Sequence, residues 1–248
     1  MTMSILGSLM SESSVLMSMP THNEAGVVSI LGYGSLMSES SALMSMPTLQ
    51  NFRYVRILGH RRVFAHTSPL FHENGIARYE TREISSLSAE PSPGSSFCGV
   101  AFDILAQDWP AFVAREAEYV LSPSTFVSLD GGEEGSGMLC IRGSDDLIKQ
   151  RGTWPRYEAM FDASGLEPRT CWDWDVDSGL KPCACYLRHC LLSSQRADVP
   201  AVVRESFLSD SFLVDRRTTL REYLRLPGVE ARIMASVPPP GLGTRYGG

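Results

Sequence analysis

Residues 109–120 place one carboxylate among apolar side chains. At about 100° per residue, Trp109, Phe112, Val113 and Val120 fall on one stripe of a helix, and Glu116 falls on the same stripe. Glu118 points to the opposite side and is expected to face solvent. A carboxylate turned toward a core or cavity is destabilised when ionised, so its pKa rises, as a general acid/base working near neutral pH requires. The alternative is a structural role for Glu116, paired with Arg115 or another arginine. Glu80 and Glu83 read as solvated charges at a strand or its end.

A second group is Leu31-Gly32-Tyr33-Gly34-Ser35-Leu36-Met37, which follows the β-branched run Val27-Val28-Ser29-Ile30. The pattern predicts a buried strand running into a tight glycine turn, where bare backbone approaches a ligand and N–H groups can face an anion or a carbonyl oxygen. A side chain at Gly34 is expected to strain the backbone and block that approach. The third glycine of a dinucleotide fingerprint is missing, and Ser35 is not in a Gly-x-Ser-x-Gly elbow. His60, His66 and His72 recur every six residues, about 20 Å apart on an extended strand, too far for a shared metal. His66 reads as a satisfied structural histidine with the capacity to donate in a pocket. Cys183, Cys185 and Cys190 cluster beside His189, but the spacing matches no standard zinc pattern.

These groups need elements to position them. Residues 53–66 read as one long strand with a bulge at Gly59, residues 75–79 as a short strand, and residues 98–105 as the clearest strand. The Ser-, Pro- and Gly-rich residues 85–96 read as a surface loop. Asp108-Trp109-Pro110 reads as an N-cap and early-helix proline opening a helix to about Val120. Residues 126–129 and 137–141 look like a strand pair across the acidic turn 130–135. Residues 186–192, 200–208 and 215–224 are helical in pattern, and the tail from Pro238 is expected to be disordered. Strands precede helices without regular alternation, which predicts an α+β domain with a mostly antiparallel or mixed sheet.

The 248-residue length suits one domain. Residues 4–21 imperfectly repeat residues 29–48 without the Tyr-Gly pair. The expected division is therefore a duplicated extension over 1–25 that forms no site, a domain over 26–236 and a tail over 237–248. The net charge of −6, with scattered Lys and Arg, argues against nucleic acid as a partner. No apolar run reaches the length of a membrane span, and no secretory leader is evident, so a cytoplasmic location with reduced thiols is expected.

Three segments together resemble the γ-glutamylcyclotransferase-like family, and its ChaC-like branch in particular. Residues 31–36 look like the family's Tyr-Gly-Ser-Leu loop. Gly59-His60-Arg61-Arg62-Val63-Phe64 resembles its Gly-aromatic-x-Arg-x-Phe strand, with His60 where an aromatic is usual. Cys98-Gly99-Val100-Ala101-Phe102, followed by Arg115-Glu116, is similar to its Gly-Val-Ala-Tyr strand and Arg-Glu helix. The match spans residues 27–125; the C-terminal region has no placed counterpart. The resemblance implies a small mixed β-barrel with flanking helices, here with a helical C-terminal region. It implies release of 5-oxoproline from a γ-glutamyl compound (glutathione, a γ-glutamyl amino acid or a γ-glutamyl amine) without metal or cofactor. It also implies substrate binding at Tyr33, Gly34, Ser35 and Leu36, with Glu116 as acid/base. The competing expectation is a catalytically silent relative that binds a small ligand or a protein.

Overall fold

The computed structural model describes residues 26–247; the duplicated extension lies outside the described residues. In chain order the strands are β1 (Val27–Gly32), β2 (Gln50–Thr67), β3 (Glu83–Leu105), β4 (Val120–Ser128), β5 (Glu134–Ile141), β6 (Lys181–Pro182) and β7 (Ser211–Phe212). β1 pairs antiparallel with β3 and parallel with β5. β5 pairs with β4, β4 with β2 and β2 with β3, all antiparallel, so five strands close a barrel. β6 and β7 add parallel to β3 and β2. This is the expected mixed α+β barrel. Ile30, Val55, Ile57, Phe97, Val100, Phe102 and Leu139 are buried in its core. β1 and β3 approach so closely that a Cβ at Gly99 would come within 2.5 Å of the Gly32 carbonyl oxygen.

Residues 85–96, expected to be a surface loop, belong to β3. Ser86, Leu87, Ser88, Ala89 and Glu90 pair with β2 and are buried. Composition misleads here because small serines fit a sheet covered on both faces. The loop character survives only where the register jumps. Leu58 faces Ser96 but His60 faces Pro91, which leaves residues 92–95 outside the ladder, with Gly59 and Gly94 at positive φ of 70° and 82°. Pro93 therefore needs no ladder hydrogen bond. The bulge predicted at Gly59 is the partner of this break. Residues 75–79 form no strand beyond a single Arg78–Glu83 bridge.

The helices are α1 (Glu39–Ser45), α2 (Pro69–Glu73), α3 (Trp109–Arg115), α4 (Asp145–Gln150), α5 (Trp154–Ser164), α6 (Ala184–Ser194), α7 (Ala201–Ser209), α8 (Leu220–Arg225), α9 (Val229–Met234) and α10 (Gly243–Tyr246). α3 is shorter than expected. It ends at Arg115, with Glu116 as C-cap, and a turn carries the chain into β4. Asp108 does not cap it; its carboxylate accepts from the Thr48 hydroxyl at 2.8 Å instead. Residues 215–219 are not helical, because the Asp215 carboxylate accepts from the Arg217 and Thr218 amides and folds a turn. The tail expected to be disordered carries α10, whose Tyr246 is buried. Among the described residues no helix is long and apolar enough to cross a membrane.

Candidate active site

A cleft of about 710 Å³ opens at one end of the barrel. Tyr33, Gly34, Ser35 and Leu36 line it as the turn between β1 and α1, and Glu116 and Glu118 line it from the turn after α3. Tyr33 is buried, donates from its hydroxyl to the Cys140 carbonyl at 2.6 Å and packs edge-on against Phe97. Ser38 caps α1 by accepting from the Ser41 amide at 3.3 Å, and the Ser41 hydroxyl donates back to the Ser35 carbonyl. The turn is thus fixed at both ends.

Gly34 is required for a different reason from the one expected. Its φ is not in the left-handed region. A Cβ there would come within 2.8 Å of the Tyr186 hydroxyl oxygen, so the helix α6 packs where a side chain would be.

The carboxylates emerge from a turn rather than a helix, so helical phase does not decide where they point. Both reach the cleft, with side chains only 15% and 19% exposed. The expectation that Glu118 faces solvent fails because α3 stops before it. Burial pushes the Glu116 carboxyl up; Arg115, whose Nε lies 3.1 Å from Oε1, opposes this, and the like charge of Glu118 adds to it, leaving Glu116 above the ordinary carboxylate value. Burial also pushes Glu118 up, but His66, Tyr157 and Ser68 outweigh it and hold Glu118 below its ordinary value. Tyr157 donates to Glu118 Oε2 at 2.9 Å, and His66 Nε2 lies 3.7 Å from Oε1.

The C-terminal region supplies the opposite wall through Tyr186, His189, Arg245 and Tyr246. Burial lowers His189 to about 4, which keeps it neutral at pH 7. Burial raises the hydroxyls of Tyr33, Tyr119 and Tyr186 well above their usual value, so they remain hydrogen-bond donors. Sequence reasoning missed this wall and Glu118. The spacing Tyr186-x-x-His189 places both on one face of a helix, and that signal was masked by the neighbouring cysteines. Those cysteines are buried; the Cys183 thiol donates to the Ile76 carbonyl at 3.4 Å. Among the described residues no three His, Cys, Asp or Glu side chains converge as a metal site would require.

No family model matches the chain, and no curated protein does. Among solved structures, an uncharacterized protein from Homo sapiens is 15% identical with a TM-score of 0.39, covering 58% of this chain and 83% of its own. A γ-glutamyl cyclotransferase is 14% identical with a TM-score of 0.38, covering 57% and 82%. A solution structure from Arabidopsis thaliana is 11% identical with a TM-score of 0.37, covering 57% and 95%.

Proposed function

We propose that this chain is a γ-glutamylcyclotransferase-type enzyme of the ChaC-like branch, acting in the cytoplasm on glutathione, a γ-glutamyl amino acid or a γ-glutamyl amine. The observation that carries the reading is the meeting, in one cleft, of the turn 33–36 with a buried carboxylate, Glu116, whose pKa is raised. The sequence motifs that resemble the family are the ones that build both sides of this meeting.

Glu116 takes a proton from the substrate α-ammonium group. The freed amine attacks its own γ-carbonyl, and a C–N bond closes the five-membered ring. Glu116 passes its proton to the departing nitrogen as the amide C–N bond breaks. The attacking nitrogen sheds its second proton on ring closure, and the released amine takes it up and leaves as an ammonium ion. The nucleophile is tethered, so a cleft that holds the folded conformer supplies much of the rate enhancement. On this reading, backbone N–H groups of Gly34, Ser35 and Leu36 receive the substrate carboxylate or the developing oxyanion.

The test is 5-oxoproline release from glutathione and several γ-glutamyl compounds. Glu116→Gln is expected to lower kcat by a factor on the order of 10²–10⁴. In the wild type kcat/KM falls on acidification through the raised Glu116 pKa, because the base must be ionised. Burial raises that value, Glu118 adds to it, and Arg115, Arg245 and Cys140 oppose it; the limb disappears in Glu116→Gln. Absence of 5-oxoproline from every compound with the wild type moves the reading to a ligand- or protein-binding relative.

A further inference from the structure

One carboxylate in the cleft has no part in the proton transfers above. Glu118 sits two residues from Glu116 and lines the same cavity. A buried apparatus holds it. His66 is fully buried, stacked on Trp172 with ring centroids 4.1 Å apart and planes 17° apart, and met edge-on by Tyr119 at 5.2 Å. Its ring therefore cannot swing away from Glu118. Among the described residues neither His66 ring nitrogen has a hydrogen-bond partner, and Nε2 is the one turned toward Glu118, at 3.7 Å. Tyr157, itself stacked on Trp154, occupies the other carboxylate oxygen.

We infer that Glu118 is the ammonium anchor of the site: its carboxylate, hydrogen-bonded by Tyr157 and flanked by His66, receives the α-ammonium group of the γ-glutamyl substrate while Glu116 handles the proton. This rests on the cyclotransferase reading. Geometry divides the labour. Glu116 has a partly exposed arginine, Arg115, as its neighbour and ends a short helix. Glu118 is clamped from two sides by side chains of the core. An ionised carboxylate has about four acceptor positions, so Glu118 can keep Tyr157 and still accept from a ligand. An ammonium group has three N–H bonds, enough to address Glu118 with one and Glu116 with another. The environments also separate the two acids, one held up and one held down, as a pair with distinct roles requires. The class of ligand that follows is a γ-glutamyl compound with a free α-amine; an N-acylated or des-amino analogue lacks the group Glu118 reads.

The experiment uses the turnover-blocked Glu116→Gln protein, titrated by calorimetry with γ-glutamylalanine and with glutarylalanine, the same molecule with hydrogen in place of the α-ammonium group. γ-Glutamylalanine is expected to bind about 10- to 100-fold more tightly, the range of a charged hydrogen bond. Adding Glu118→Gln is expected to remove the preference and leave glutarylalanine binding unchanged, which also reports an intact cleft. A preference that survives in the double variant overturns the anchor. Loss of both ligands in the double variant overturns it too, since the carboxylate then serves only the structure. The two readings fail differently. If wild type releases 5-oxoproline from γ-glutamylalanine and the preference survives Glu118→Gln, only the anchor falls. If wild type releases none and Glu116→Gln binds neither ligand, the cyclotransferase reading falls and takes the anchor with it.

Discussion

The two walls of the cleft are held in place by different forces. The barrel wall is pinned by backbone. The turn 33–36 runs directly out of β1, which is paired on both edges, and Tyr33 and Tyr119 donate their hydroxyls to the carbonyls of Cys140 and Leu87. The C-terminal wall, once β6 has delivered the chain to α6, meets the cleft through side-chain packing. Tyr186 packs its ring against Phe71 at 5.3 Å and Phe64 at 6.5 Å, and His189 meets Tyr246 edge-on at 6.1 Å. Tyr246 is tied down by one long hydrogen bond, 3.4 Å, from the Asn74 side chain. A ladder of paired amides opens only with the sheet, whereas a wall of side chains can loosen piecemeal. Proton transfer needs the first kind of support, because reacting groups must be held within fractions of an ångström. On the cyclotransferase reading, accommodation of a variable leaving amine tolerates the second.

Two substitutions and a truncation probe the contrast, in decreasing order of expected effect. The largest concerns Arg62, which joins the barrel to α7 in the C-terminal region. It is fully buried between the rings of Phe97 and Phe207, with its guanidinium 4.8 and 5.1 Å from their centroids. It donates to the Cys98 carbonyl at 3.2 Å and more weakly to the Tyr33 carbonyl at 3.4 Å on the barrel side, and to the Ser206 carbonyl at 2.5 Å on α7. Burial lowers its pKa to about 10, so it stays charged at neutral pH. Arg62→Met keeps an unbranched apolar stem but removes the guanidinium, so these carbonyls lose its hydrogen bonds. A loss on the order of 3 kcal/mol is expected, seen as a Tm lower by about 6–12 °C. A shift of less than about 2 °C in differential scanning calorimetry would show that the walls do not depend on this bridge.

Next is Gly34→Ala. The added methyl meets the Tyr186 hydroxyl, so KM for γ-glutamylalanine is expected to rise about 10-fold, on the scale of a 1.4 kcal/mol overpacking penalty. Tyr186→Phe removes the atom in the way and is expected to recover part of that loss in the double variant. No recovery means the turn itself rejects a side chain.

The smallest effect belongs to the tail. Ending the chain before Gly243 removes Arg245 and Tyr246 from the cleft. KM is expected to change by a few-fold while kcat and Tm hold. A collapse of kcat would place the tail with the barrel wall after all.

How far the sequence reveals this arrangement follows the same division. β1 and its turn, the bulge at Gly59 and the β4–β5 hairpin are legible because each is written in neighbouring residues: an apolar run, a glycine, an acidic turn. Glu116 is reached by two routes, one of which, the helical stripe, rests on a helix that has ended by then. What places Glu118 in the cleft is the need for Val120 to pair with Ile141 at the start of β4, a contact no local pattern announces. The burial of Ser86 and Ser88 depends on a partner strand twenty or more residues away, and the C-terminal wall depends on α6 packing against the turn at Gly34. Composition assigns Ser86 and Ser88 to a loop and leaves Tyr186 and His189 unassigned because the information lies in distant partners.

The break between β2 and β3 has a practical consequence. Residues 92–95 leave the ladder and line no part of the cleft, and the two glycines at the break already adopt the backbone that a tight reversal needs. A reporter peptide or fluorophore-bearing insert placed there would lengthen an existing excursion without interrupting a paired strand. The molecule thus carries a built-in grafting point, through which it can be immobilised or imaged with its cleft unobstructed.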